Sequence, residues 1–224
     1  MALYLLLQDD RFSVEELIIT INSHYNRVSM HGLRKELLLA QTDALNIPAS
    51  AIELPEMPSM TVYEQKMLEN LSILKKDGFT HTSFGDIFLD DLRAYREQQL
   101  EKQNLQAILP IRKQDTSELL NEFLDLGFKT IIVCANSKYF NDHFAGTIID
   151  NNFIDNLPET VHSCRENGEF HTFCFDGPIF KNPIQFANGN KVGREYDLLK
   201  TDESSVSKSD DEKYGVWYCD LRPK

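Results

Sequence analysis

The residues able to do chemistry concentrate in one stretch, Glu166-Asn-Gly-Glu-Phe-His-Thr-Phe-Cys-Phe-Asp-Gly-Pro-Ile-Phe180. Residues 170–175 read as a strand between two glycine turns, Asn167-Gly168 and Asp176-Gly177-Pro178. Side chains alternate faces along a strand, so Glu169 and His171 share one face, with Phe170 and Thr172 on the other. Two carboxylates, Glu166 and Glu169, close to an imidazole that titrates near neutrality are suited to moving protons or gripping a polar ligand. Asn167 and Thr172 add neutral hydrogen-bonding groups. Spacing alone leaves open a hairpin whose polar residues simply face water.

Two earlier stretches carry weaker signals. Ser83-Phe-Gly-Asp86-Ile87 follows a short strand, and ligands of open α/β sheets sit beyond the carboxyl ends of the strands. Gly85 would let a ligand approach the backbone, and Asp86 would hold a metal or the ligand's polar edge; a tight turn with Asp86 as a helix cap fits the spacing equally well. Met30-His31-Gly32 with Arg34 opens a helix, whose free N–H groups and positive dipole end favour an anion. His31 there reads just as well as an exposed polar cap.

The elements that must position these residues follow from periodicity. Residues 2–7 are apolar almost throughout and read as a helix lacking an upstream partner. Residues 16–22 form a β-branched apolar run, a buried strand ending at Thr20, Ile21 and Asn22. Leu33, Leu37, Ala40 and Ala44 recur at helical spacing until Asn46 and Pro48. A second strand is expected at 52–54. Thr61-Val-Tyr-Glu64 reads as a capping box opening a helix that stops before Gly78. Strands at 80–84 and 106–111 bracket a helix marked by Phe88, Leu92 and Tyr95. Asp115-Thr-Ser-Glu118 caps a further helix, and residues 130–134 make another buried strand. This alternation predicts βαβ units and a parallel sheet. Beyond it the pattern changes to a short helix at 151–157, the signature strand, runs at 183–186 and 192–199, a polar excursion over 201–213 and a closing strand at 215–219. This later part is expected to be largely antiparallel.

Bulk composition narrows the function classes. Thirty-five acidic against 23 basic residues leave a net charge of −12, which argues against non-specific binding to a nucleic-acid backbone. Cys134, Cys164, Cys174 and Cys219 show no CxxC spacing, so no zinc site is expected, and three of them lie in apolar runs where thiols are usually buried. With no apolar run of about 18 residues or more, a soluble cytoplasmic protein without membrane partners is expected. Self-association is one way to cover the apolar residues 2–7.

Residues 168–180, "GEFHTFCFDGPIF", resemble the C-terminal signature of the diphthine–ammonia ligase family of PP-loop ATPases, the adenine nucleotide alpha-hydrolase-like proteins. Residues 25–48, 84–97 and 125–139 resemble the same family in the same order, with a leaning toward its bacterial-type branch. The resemblance implies an α/β fold: a Rossmann-like HUP domain with a parallel sheet over residues 1–112, then a smaller α+β substrate domain over 113–224, with the site between them. It implies ATP and Mg²⁺ as cofactors, activation of a carboxylate as an acyl-adenylate, and amide formation with ammonia; the carboxylate acceptor stays unknown. Thr20, Ile21, Asn22, Gly85, Asp86 and Ile87 would bind the adenine nucleotide. His31, Arg34, Asn167 and Thr172 would face substrate, and Glu166, Glu169 and His171 would be catalytic.

Three departures accompany the resemblance. The family opens on a strand and a Ser-Gly-Gly-Lys-Asp-Ser phosphate loop, and no such motif occurs in these 224 residues. "MALYLLLQDD" resembles the inside of the helix after that loop, so a start codon placed too far downstream is the expectation, with impaired or absent catalysis by the chain as it stands. A non-catalytic nucleotide- or partner-binding protein is the alternative. Arg165 stands where the bacterial pattern has glycine, and Arg112 where it has tryptophan.

Overall fold

The computed structural model describes residues 1–157, 161, 164, 168–197 and 213–224. The readings on His162, Ser163, Arg165, Glu166 and Asn167, and on the polar excursion over 201–212, lie outside the described residues.

The chain begins with helix α1 (Ala2–Leu7), then strand β1 (Leu17–Asn22), a two-residue β2 (Arg27–Val28), helix α2 (Lys35–Leu45) and strand β3 (Ala49–Leu54). β1 pairs in parallel with β3 along its whole length and antiparallel with β2 at its carboxyl end. α2 makes the crossover. It ends where Asn46 turns left-handed at φ 56°, which lets the Ile47 N–H bond back to the Thr42 carbonyl. Helix α3 (Met60–Lys76) leads to β4 (His81–Ser83), and helix α4 (Asp90–Glu101) to β5 (Gln106–Ile108), which pairs in parallel with β4. The cap of α3 is Ser59, not Thr61: the Ser59 hydroxyl sits one residue ahead of the helix and accepts from the Val62 N–H, the reach an N-cap needs.

The parallel strands form two separate sheets, β2-β1-β3 and β4-β5. No strand pairing joins β1 to β4 among the described residues. A cavity of about 1010 Å³ lies where the two pairs face each other, walled by β1 at Ile18 and Thr20, by β4 at Thr82, and by α1, α2, α3 and α4.

The remaining chain contributes helix α5 (Thr116–Asp125), strand β6 (Lys129–Asn136), helix α6 (Asn151–Asp155) and strands β7 (Phe170–Asp176), β8 (Phe186–Asp197) and β9 (Lys213–Pro223). β6 does not extend the parallel sheet as the βαβ pattern predicts. It is the second strand of an antiparallel sheet of order β7-β6-β9-β8. Its run is buried on both faces: Ile131 and Val133 pack with Leu37 of α2, and Ile132 and Ala135 pack with Phe153 of α6. A strand covered on both sides has the same apolar signature in either sheet type, so the run itself carried no directional information. The run at 183–186 is not a strand of its own. Ile184 only donates to the Phe175 carbonyl, and β8 begins at Phe186.

α2 is the element shared by the two halves. Leu33, just before it, and Leu37 enter the core of the antiparallel sheet, while Leu38 and Thr42 line the large cavity. Gln41 donates to the Cys174 carbonyl of β7 at 2.6 Å. No described helix is long and apolar enough to cross a membrane.

Candidate functional site

β7 is held in register against β6, with His171 opposite Cys134 and Thr172 opposite Ile132. Its faces alternate as the sequence implies. Phe173 joins the core under α2, and Phe170 packs on the opposite side with Phe140 and Phe153. At the carboxyl end, Gly177 lies against the Phe128 ring so closely that a Cβ there would come within 2.2 Å of it. Only glycine permits that approach.

Thr172 and Phe170 open onto a second cavity of about 340 Å³, whose other wall is Gly85, Asp86 and Ile87 after β4. Met1, Gly85 and Phe123 border both this cavity and the large one. The two predicted stretches furthest apart in function, the β4 turn and the signature strand, therefore meet at one cleft. A Cβ on Gly85 would find nothing nearer than Ala2 at 3.9 Å, so the space over its backbone is open.

Asp86 is bound at 2.6 Å by Arg96, whose guanidinium lies 4.2 Å over the Phe84 ring. Arg96 gave no sequence signal; it lies on the charged helix α4, ten positions from Asp86. Ile87 is buried, and its carbonyl accepts from the Lys113 N–H and from Arg112. Arg112, which also pairs with Asp90, thus braces this turn from behind.

The three predicted residues at the end of β1 divide. Thr20 lines the large cavity. Ile21 is core, at 2 % exposure. The Asn22 carboxamide shapes the following turn, accepting from the His24 and Tyr25 N–H groups and donating to the Glu56 carbonyl. The Thr82 hydroxyl, buried against the large cavity, has no hydrogen-bond partner, and nothing in the sequence singled it out.

His31 and His171 meet across the junction of the two halves, with ring centroids 4.6 Å apart and planes tilted by 43°. The His31 Nδ1 lies 3.1 Å from the Ser29 carbonyl. Glu169 is 1 % exposed, and its carbonyl accepts from the Asn136 N–H. Arg34 does not point a free charge at an anion. Its guanidinium forms a two-pronged pair with Asp220 of β9, at 2.9 and 2.7 Å, and Arg27 donates to the same carboxylate. The hydrogen bond from Arg34, then that from Arg27, holds the Asp220 carboxyl down to a pKa of about 2 against its partial burial. Sequence reasoning missed Asp220 because 186 positions separate it from Arg34.

The four cysteines are free thiols, and burial pushes Cys134 up to about 12 and Cys174 up to about 11, away from nucleophilic use. No group of three or more His, Cys, Asp or Glu arranged to hold a metal occurs among the described residues.

Residues 115–202 match a family model described as the diphthamide synthase C-terminal domain, a span that takes in α5, β6, α6, β7 and β8. A mouse protein named diphthine–ammonia ligase is 28 % identical over 188 residues, covering 78 % of this chain and 69 % of the mouse protein. A zebrafish protein of the same name is 30 % identical over 107 residues, covering 46 % of this chain and 42 % of its own length. The chain is thus similar, at low identity, to proteins named as ligases.

Proposed function

We propose that the chain is the nucleotide- and acceptor-binding part of an ATP-dependent, AMP-forming amide ligase of the diphthine–ammonia ligase kind. In such a reaction the acceptor carboxylate displaces pyrophosphate from ATP, and ammonia then displaces AMP to leave the amide and a proton. The observation that carries this reading is the common cleft of Gly85, Asp86 and Ile87 with Thr172, two cavities that share Gly85, in a chain whose similarity extends to proteins so named. On this reading the two parallel pairs are halves of one Rossmann-like sheet, and residues 1–112 and 113–224 are its two domains.

The described residues suit a nucleoside. The large cavity has mostly apolar walls and the exposed Gly85 backbone to meet a polar edge. They do not by themselves make a magnesium site, since Asp86 is committed to Arg96. In the proposed roles, Thr20 and the 85–87 turn hold the nucleoside; Thr172, on the smaller cavity, and His171, on the opposite face of β7 beside His31, are alternative contacts for the acceptor, and only on the His171 side would that ring, with Glu169 on the same face, take a proton from the incoming ammonia.

Calorimetric titration with AMP tests the reading. The chain should bind AMP, and Gly85→Leu, which extends a side chain into the open space between the cavities, should abolish the heat while leaving the melting temperature within a few degrees. Absence of binding by the parent chain, or undiminished binding by Gly85→Leu, would overturn it. A second reading is nucleotide binding without turnover. AMP binding with no pyrophosphate released from ATP would select it.

A further inference from the structure

The loop between β1 and α2, residues 23–34, belongs in sequence to the parallel half but is seated on the antiparallel sheet at four points. The Tyr25 ring lies 5.3 Å from the guanidinium of Arg194 on β8. The Gly32 backbone, left-handed at φ 65°, is pressed so closely to the Tyr218 ring of β9 that a Cβ would come within 2.7 Å. The His31 ring lies on His171 of β7. Asp220 of β9 takes Arg27 and Arg34 together.

The last contact differs in kind. Arg27 and Arg34 stand toward opposite ends of the turn that carries His31, and their backbones form an antiparallel bridge. One carboxylate, 17 % exposed, therefore ties both strands of the turn to β9. Arg27 also donates to the Gly32 carbonyl at 2.6 Å. Within the turn Met30 is left-handed at φ 63°, a conformation disfavoured for methionine, and its side chain is exposed, so its own packing does not hold it there. Such a backbone persists only where its surroundings over-determine it.

We propose that Asp220 is a positioning residue: by joining Arg27 and Arg34 it fixes the 27–34 turn and so sets His31 against His171 at the junction of the two halves. The relevance of that pair to an acceptor rests on the function proposed above; the geometry of the turn does not. Asp220→Asn keeps the shape, removes the charge and leaves the backbone ladder of β9 with β8 intact. It loosens the turn without dismantling the sheet.

The experiment uses the full chain. Histidine ring proton resonances, assigned through His31→Ala and His171→Ala, report the ring contact, and trypsin cleavage after Arg27 and Arg34, followed by mass spectrometry, reports the turn. In Asp220→Asn both ring signals should move toward the positions of solvated histidine, and cleavage at the two arginines should quicken at least tenfold. Asp220→Glu should restore both in part. Ring signals unchanged and cleavage within twofold of the parent would overturn the proposal. Should Asp220→Asn fail to fold, Arg34→Gln, which leaves Asp220 with Arg27 and removes the second cleavage site, is read by the two ring signals and by cleavage after Arg27 alone, with the same criteria. A parent chain that fails to bind AMP while these results hold would remove the nucleotide reading and leave the positioning role standing.

Discussion

At the scale of single residues, the polar side chains of the signature strand face different surroundings. His171 and Thr172 sit on opposite faces of β7, one against His31 and the other on the smaller cavity. Glu169 is buried just before them, where a carboxylate must be matched by polar neighbours. If the nucleoside lies in the large cavity, neither His171 nor Glu169 reaches it. His171→Ala and Glu169→Gln should therefore leave the AMP dissociation constant within about twofold by calorimetry. Amide formation in a single-turnover assay should slow by about 10²–10⁴-fold if either group moves the proton. A large loss of AMP affinity instead would assign the strand to the nucleotide.

At the scale of elements, the smaller cleft depends on α5, which places Leu119 and Leu120 on the wall shared with Gly85 and Thr172. The helix starts where Asp115 accepts from the Ser117 and Glu118 N–H groups at 2.9 and 3.0 Å. These are orphan donors that only a side chain or water can satisfy. Asp115→Ala should cost about 1 kcal/mol, seen as a fall of roughly 2–4 °C in melting temperature for a chain of this size. An unchanged melting curve would mean that water replaces the cap in full. This element was legible in advance, because cap chemistry is local. So was α2, whose leucine spacing and Asn46 stop are both intrinsic to the chain.

At the scale of the whole molecule, the junction of the halves is electrostatic as well as apolar, and acid should loosen it. The Asp220 pKa is lowered to about 2 by Arg34 and Arg27, so its contribution is complete above the unfolded value of 3.8 and is lost as pH falls through about 2. Unfolding free energy measured against pH should drop across that window, and Asp220→Asn should flatten part of the slope. Identical slopes in parent and variant would show that the pair does not stabilise the fold.

Most strands and helices, and the Asp115 cap, could be read along the chain because each depends on residues within a turn or two of one another; the α3 cap lies at Ser59 instead of the expected Thr61, and 183–186 is no strand of its own. The alternation of apolar and polar groups in β7 likewise assigned its faces. Partners remote in sequence could not be read that way. The antiparallel place of β6, the meeting of His31 with His171 and the capture of Arg34 by Asp220 each join segments more than thirty positions apart or reverse an apparent βαβ order. An apolar run buried on both faces looks alike in parallel and antiparallel sheets, and an arginine at a helix start looks alike whether it awaits an anion or already holds one. Only packing brought the carboxylate of β9 to that arginine, and the same packing decided that Asn22 shapes a turn while Thr20 faces the cavity.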